Sequence, residues 1–453
     1  MKLDEYLETV SEQIRYTKIR STVTEELKNH ILDQAQAYEE CGAFPEEAME
    51  RAVREMGDPV DTGIALDRIH RPQMNWSIII LIAIISVFSI GIFYIADMLS
   101  SNVYPWERHA AFVLSGFLLM LVVYRLDYSI LGKFGSTSAL LFLTILIAGL
   151  LVCGYSMNGI TKWIRIGSFT ISVPEVMFLY LPLFGAALYS VRGESYRIFL
   201  KIIPLILIPT VIVRFTQTLS YTAILFLSLL FIFLYAVWKD WFAISKKWVL
   251  GISSTFLLIS PIAVLGFICY FGPEYQAARI KAFFTASGDA DYIAGMAGTI
   301  RASSSLLSGN QNAMDTLFNG SSREFFSDYI LVSMCGIYGI FLTAAIIGGL
   351  LLLIMKIFKV STGQKNQLGM IIGIGCGIGF LVKTSVAILI NLQLIPFMSV
   401  GMPFLSYGGS GILVSYILLG FVLSIYRFKN ILPSKSETNP KRYLKLKITW
   451  ETR

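Results

Sequence analysis

The chain has 453 residues, 55% of them hydrophobic and only 15% charged, with a mean hydropathy of +0.65. A soluble globule of this size cannot hide that much apolar surface, so a freely dissolved protein is excluded. The net charge of +7 is divided: residues 1–70 carry 8 Lys/Arg against 16 Asp/Glu, and the remaining 383 residues carry 29 against 14. No basic patch interleaved with aromatics occurs in the soluble part, which argues against a nucleic-acid partner.

Residues 1–70 read as a small cytoplasmic domain of three helices. The first covers about Leu3–Lys18. The second starts near Thr22 or Thr24 and stops at Cys41-Gly42. The third runs from Pro45, a residue suited to the first helical position, to Gly57-Asp58-Pro59. The stretch has no apolar core of a signal peptide, so the first spanning helix is expected to act as the insertion signal. The residues Glu25-Glu26-Leu27, His30 and Pro45-Glu46-Glu47-Ala48 through Gly57-Asp58-Pro59 resemble the helical prefix domains found ahead of many bacterial permeases and membrane regulators. That reading makes 1–70 an interaction module whose partner is left open.

Ten apolar segments follow, at about 75–98, 109–124, 134–153, 173–190, 198–213, 218–237, 248–271, 327–355, 367–390 and 404–426. They lack a two-residue alternation, so they predict spanning helices and not a barrel. The fold class is all-α: a ten-helix membrane domain over 75–430 behind the prefix domain, with a basic cytoplasmic tail at 431–453. Alternate loops carry Arg125 and Lys133; Arg192, Arg197 and Lys201; Lys239, Lys246 and Lys247; and Lys356, Lys359 and Lys365. By the positive-inside rule these loops and both termini are cytoplasmic. Trp76, Trp106, Trp238, Trp241 and Trp248 fall at expected interfaces. The long loop 272–326 then lies outside the cell and is a candidate functional segment. Gly369, Gly373 and Gly377, spaced by four, predict close helix packing. The cysteines 41, 153, 269, 335 and 376 show neither metal spacing nor a disulfide framework.

Ionisable groups beside spanning helices are costly and tend to be functional. Glu175 follows Pro174 and Asp328 follows Ser327, each at the start of an apolar run. Both could serve simply as anions at helix N-termini. The segment Gly401-Met402-Pro403-Phe404-Leu405-Ser406-Tyr407-Gly408-Gly409-Ser410 opens the last run. Its Pro and Gly residues break regular backbone, so that N–H groups and hydroxyls can face a polar cavity or an anionic headgroup.

This segment, with Pro396 ahead of it, resembles the signature of the SEDS family (FtsW, RodA and SpoVE), the cell-wall glycosyltransferases of shape, elongation, division and sporulation. Asn158-Gly159-Ile160-Thr161-Lys162-Trp163-Ile164-Arg165-Ile166-Gly167 is similar to a family outer loop, followed by Glu175. Ser327-Asp328-Tyr329-Ile330 with Gly339, and Tyr275-Gln276 with Arg279, are similar to parts of its large loop. Several positions depart from the pattern: Gly336 and Ile337 replace paired Glu, Phe178 replaces a Lys, Leu219 an Asp and Ala387 an Asn, while Lys383 is an added charge in the ninth segment.

The resemblance implies an inverting lipid II polymerase with Asp328 as general base. Lys162, Arg165 or Arg279 would stabilise the leaving pyrophosphate, with a divalent cation (Mg or Mn) as a further candidate. Lys162 and Arg165 could equally be interfacial anchors. Glu175 either shapes the site or caps its helix, and Lys383 either lines the cavity or pairs with a helix carbonyl. Pro403, Ser406, Tyr407, Gly408, Gly409 and Ser410 complete the implied substrate-binding set. A class B penicillin-binding protein is the implied partner. A lipid-linked sugar flippase and a catalytically silent scaffold are the competing readings.

Overall fold

A computed structural model describes residues 2–100, 105–157, 159–272, 274–285, 292–319, 324–396 and 398–429. Contacts divide the chain into two units: residues 1–74 with 426 onward, and residues 75–425.

The N-terminal unit holds four helices: α1 (Leu3–Gln13), α2 (Thr17–Glu40), α3 (Pro45–Glu55) and α4 (Pro59–His70). This corrects the expectation of three. Gly57-Asp58-Pro59 was expected only to stop a helix, but it also starts one. Asp58 caps α4 by accepting the N–H groups of Val60 at 2.8 Å and Asp61 at 3.1 Å, and Pro59 takes the first helical position. The first expected helix also ends earlier, at Gln13. The core gathers Tyr6, Leu7, Val10, Ile31, Ala35, Ala52 and Val53. The Arg15 N–H donates to Asp67 at 2.9 Å, tying the α1–α2 turn to α4.

The second unit is a multi-pass membrane domain. It begins with α5 (Trp76–Ser100), α6 (Trp106–Arg125) and α7 (Ser129–Cys153). A three-stranded antiparallel sheet follows, of β1 (Gly154–Met157), β2 (Ile160–Ile166) and β3 (Phe169–Ser172). A short α8 (Val173–Val176) leads through a tight turn into α9 (Tyr180–Ser190). Next come α10 (Ile198–Phe215), α11 (Leu219–Trp238) and α12 (Lys246–Phe271). The long loop is itself helical: α13 (Glu274–Thr285), α14 (Tyr292–Ser303), α15 (Gln311–Asn319), α16 (Glu324–Ser327) and α17 (Ile330–Tyr338). The domain closes with α18 (Ile340–Thr362), α19 (Gln367–Asn391) and α20 (Gly409–Arg427). Among the described residues, ten helices are long and apolar enough to cross a membrane.

The most enclosed of these is α19. A Cβ at Gly373 would lie 2.3 Å from Ser361 Oγ on α18, and one at Gly375 would lie 3.3 Å from the Leu181 carbonyl on α9. Small residues on two faces therefore let neighbouring backbones close in from both sides.

Four expectations change in this unit. The sheet occupies a stretch read as loop, although β2 is rich in β-branched residues and its turns fall at Gly159 and Gly167, both with positive φ. The eighth span does not begin at 327 but at Ile340. The chain breaks at Gly339 (φ 90°, ψ 167°), and the N–H groups of Ile340 and Phe341 bond to Ser305 and Leu306 instead of extending α17. The tenth span likewise starts at Gly409 and not at 404. Of the tryptophans expected at interfaces, Trp76, Trp238 and Trp248 are exposed, but Trp241 is buried against Tyr189 and the Arg192 guanidinium.

Candidate active site

Three pieces of chain converge: the end of β3 with α8, the segment 325–332, and the turn 399–411. The turn is stitched to both of the others. The Ser172 N–H donates to Ser410 Oγ at 2.9 Å, and the Tyr407 N–H donates to the Phe326 carbonyl at 2.9 Å. Ser406 Oγ accepts the Met402 N–H at 2.6 Å and donates to the Ser327 carbonyl.

Asp328 is buried, with 7% of its surface exposed. Its charge acts on Lys162 and, together with that of Glu175, on the Tyr221 hydroxyl. Its backbone carbonyl accepts Asn391 Nδ2 at 2.9 Å. That same Asn391 caps α17: its Oδ1 accepts the N–H groups of Leu331 (3.0 Å) and Val332 (3.2 Å) at the start of the helix. Asn391 is the residue that sequence reasoning missed. A signal was present: Ala387 stands where the family has Asn, and Asn391 lies one helical turn further on the same face. Its Nδ2 also bonds the Ala387 carbonyl at 2.8 Å.

Lys383 and Glu175 form a buried ion pair, Nζ to Oε2 at 2.5 Å. Tyr221 Oη donates to the other carboxylate oxygen at 2.5 Å. Neither role expected of Lys383 describes this partner. Glu175 stands in the first turn of α8, but its side chain is engaged across three helices. The Lys383 ammonium lies 5.3 Å over the Phe178 ring, so a cation from α19 reaches the position where the family pattern has a Lys. Gly411 packs closely here: a Cβ there would lie 3.1 Å from Glu175 Cδ and would press on the carboxylate.

Of the three expected phosphate ligands, Lys162 and Arg165 are separated. On the pleated strand β2, residues three apart point to opposite faces. Lys162 is half-buried, stacked on Trp163 and within range of the Asp328 charge. Arg165 is exposed, its Nε bonded to the Gly167 carbonyl at 3.3 Å and its guanidinium over the Tyr155 ring. Burial pushes the Lys162 ammonium pKa below its ordinary value, and the Asp328 charge opposes that shift. Arg279 lies on α13, but its side chain, like those of Tyr275 and Gln276, is outside the described residues, as are Asn158 and the tail 431–453.

Of the hydroxyls expected to face a polar cavity or an anionic headgroup, those of Ser406 and Ser410 bond backbone groups, and the half-buried Tyr407 ring packs beside Phe93 and His109. Pro403 is buried, Gly408 is exposed, and Gly409 leaves no room for a side chain beside Phe112. At the positions of the missing acid pair, a Cβ on Gly336 would lie 3.0 Å from Ile300 Cγ2, and Ile337 is buried, so this wall of the site is apolar. Among the described residues, no group of three or more His, Cys, Asp or Glu could hold a metal ion.

Ten apolar helices that carry a buried carboxylate, a half-buried ammonium within range of its charge and a Gly/Pro turn define a multi-pass membrane protein with ionisable groups gathered at a built site. Comparison with known proteins agrees. The family described as "Cell cycle protein" (FtsW, RodA, SpoVE) matches residues 71–431, and the chain belongs to that family. A probable peptidoglycan glycosyltransferase FtsW of Trichlorobacter lovleyi is 23% identical over 375 residues, covering 78% of this chain and 93% of that protein. The Enterococcus hirae protein of the same description is 39% identical over a shorter stretch of 106 residues, 23% of this chain and 27% of its own. In fold, the chain matches a chain of a peptidoglycan synthase complex that coordinates polymerization and crosslinking, with TM-score 0.62, 18% identity and coverage of 78% and 98%. It also matches RodA of Thermus thermophilus, with TM-score 0.55, 17% identity and coverage of 79% and 97%.

Proposed function

We propose that this chain is a peptidoglycan glycosyltransferase that polymerises lipid II at the extracytoplasmic face of a bacterial plasma membrane, with both termini cytoplasmic. The observation that carries the reading is Asp328: a buried carboxylate whose charge reaches the half-buried Lys162 ammonium, in a membrane bundle. The acceptor's GlcNAc 4-hydroxyl oxygen bonds to the anomeric carbon of the donor's MurNAc. The bond from that carbon to the pyrophosphate breaks, its electron pair leaves with undecaprenyl pyrophosphate, and the configuration inverts. The hydroxyl proton passes to Asp328 as general base. Lys162 opposes the charge that develops on the leaving group, and Arg165 serves at the exposed rim. The Glu175–Lys383 pair is internally neutral, so its role is to fix α8 and α19 around Tyr221. Among the described residues no group of three His, Cys, Asp or Glu would hold Mg or Mn; a divalent cation bound with the pyrophosphate would supply further positive charge to the leaving group. A class B penicillin-binding protein is the proposed partner, since the product strand then needs cross-linking.

Purified protein with fluorescent lipid II tests this. Polymer is expected from the native chain, with kcat lower by about 10²–10⁴ in Asp328→Asn. Transbilayer movement without polymer would favour a flippase, and neither activity a scaffold. Polymer formation at the native rate by Asp328→Asn would remove the proposed base.

A further inference from the structure

We infer that Ser89 on α5 and His109 on α6 act as positioning residues that hold the 404–407 turn, and through it the backbone leading into Asp328. The inference deepens the polymerase reading, and its kinetic readout rests on that reading. Ser89 Oγ lies 2.9 Å from the Phe404 carbonyl and 2.8 Å from His109 Nε2, with all three residues buried. A carbonyl can only accept, so the single hydroxyl proton of Ser89 points at Phe404. His109 Nε2 must then carry a proton and donate it to Ser89 Oγ. The lone pair is left on Nδ1, which has no hydrogen-bond partner among the described residues. The imidazole tautomer is therefore dictated by a backbone carbonyl of the turn. The ring is clasped by Phe93, with centroids 3.9 Å apart, and lies nearly parallel to Tyr407 at 6.1 Å.

The carbonyl so held belongs to a strained residue. Phe404 has φ 64°, a left-handed conformation that a bulky side chain keeps only when its surroundings impose it. The next residues, Leu405 and Ser406, curl back onto Met402, and the two after Leu405 bond the Ser327 and Phe326 carbonyls, immediately ahead of Asp328. The Phe404 carbonyl shares its peptide plane with the Leu405 N–H that closes the turn onto Met402, so releasing the carbonyl loosens the turn that carries those bonds. The relay thus runs from His109 through Ser89 and Phe404 to residues 326–327. Its function is to keep the Asp328 backbone in place, without contact with substrate.

The test uses the full-length protein, with steady-state polymerisation of lipid II, thermal melting and hydrogen–deuterium exchange of the segment 402–408. Ser89→Ala and His109→Phe are expected to lower kcat by about tenfold or more, because small displacements of a catalytic group are costly in rate. KM should stay within about twofold, since the step affected is chemistry and not binding. His109→Gln offers an N–H near the imidazole Nε2 and should recover most of the rate. His109→Asn, whose shorter amide falls short of Ser89, should not. The 402–408 amides should exchange faster in Ser89→Ala and His109→Phe and at the native rate in His109→Gln, whether or not the protein polymerises lipid II. That arm separates the relay from the polymerase reading: native protein inactive on lipid II with the exchange pattern intact defeats only the latter. Native kcat and native exchange in Ser89→Ala overturn the relay. So does a loss that follows the melting temperature alone and is equal in His109→Gln and His109→Phe. Should His109→Phe not fold, Ser89→Ala decides.

Discussion

Asp328 and Lys162 share one end of the bundle, and burial leaves the lysine holding its proton less tightly than an exposed lysine does. Its positive charge is complete only below its lowered pKa and is lost at lower pH than from an exposed lysine. If that charge assists pyrophosphate departure, kcat/KM falls early on the alkaline side. Lys162→Arg keeps its charge throughout and is expected to move the alkaline limb to higher pH; a pH–rate profile with an unchanged limb would mean that another group titrates there. Deeper in, Lys383→Met leaves the Glu175 carboxylate buried without its cation, a change worth about 3–5 kcal/mol when a buried pair loses one partner. Glu175→Gln combined with Lys383→Met should recover much of that loss, and thermal melts of the four proteins measure the coupling. Glu175 and Lys383 each stood out in the sequence as a charge in apolar surroundings. Their pairing did not, because 208 positions separate them and the contact depends on how α8 and α19 pack.

Among the elements, the separation of α17 from α18 decides where Asp328 sits. As a single span from 327 it would have placed the carboxylate at the head of a long membrane helix. The break at Gly339 instead makes α17 a short helix held by Asn391 at its start and by α14 and α15 along its side. Gly339→Ala forces a side chain into positive φ, with its Cβ 2.9 Å from the Ser308 amide nitrogen and 3.0 Å from the Leu307 carbonyl carbon. A cost of about 1–3 kcal/mol is expected, read as a lowered melting temperature together with lower polymerase activity. A variant as stable as the native chain would show that the break is not held by this residue. Hydropathy could not reveal the break, since both sides of Gly339 are apolar. The β2 strand, by contrast, was legible in Ile160-Thr161-Lys162-Trp163-Ile164-Arg165-Ile166, and its pleat is what parts Lys162 from Arg165.

At the scale of the whole molecule, the prefix unit has its own apolar core and its own caps, and residues 75–425 have theirs. Deleting residues 1–70 should therefore leave a monodisperse membrane domain whose melting transition and lipid II polymerisation stay close to those of the full chain; aggregation of the truncated protein on size-exclusion chromatography would show the two to be one folding unit. The number of spans, the acidic helical prefix and the placing of charged and Gly/Pro segments were determined by the sequence alone, because each depends on local composition: apolar length, charge excess and backbone breakers act within about twenty residues. Only the tertiary structure decided that Lys383 answers Glu175, that Asn391 caps α17, that Ser406 and Ser410 bond backbone groups, and that His109 reaches the Phe404 carbonyl through Ser89. The long-range contacts among these join groups from 59 to 315 positions apart, and they exist only once helices with similar apolar faces have selected their neighbours by shape.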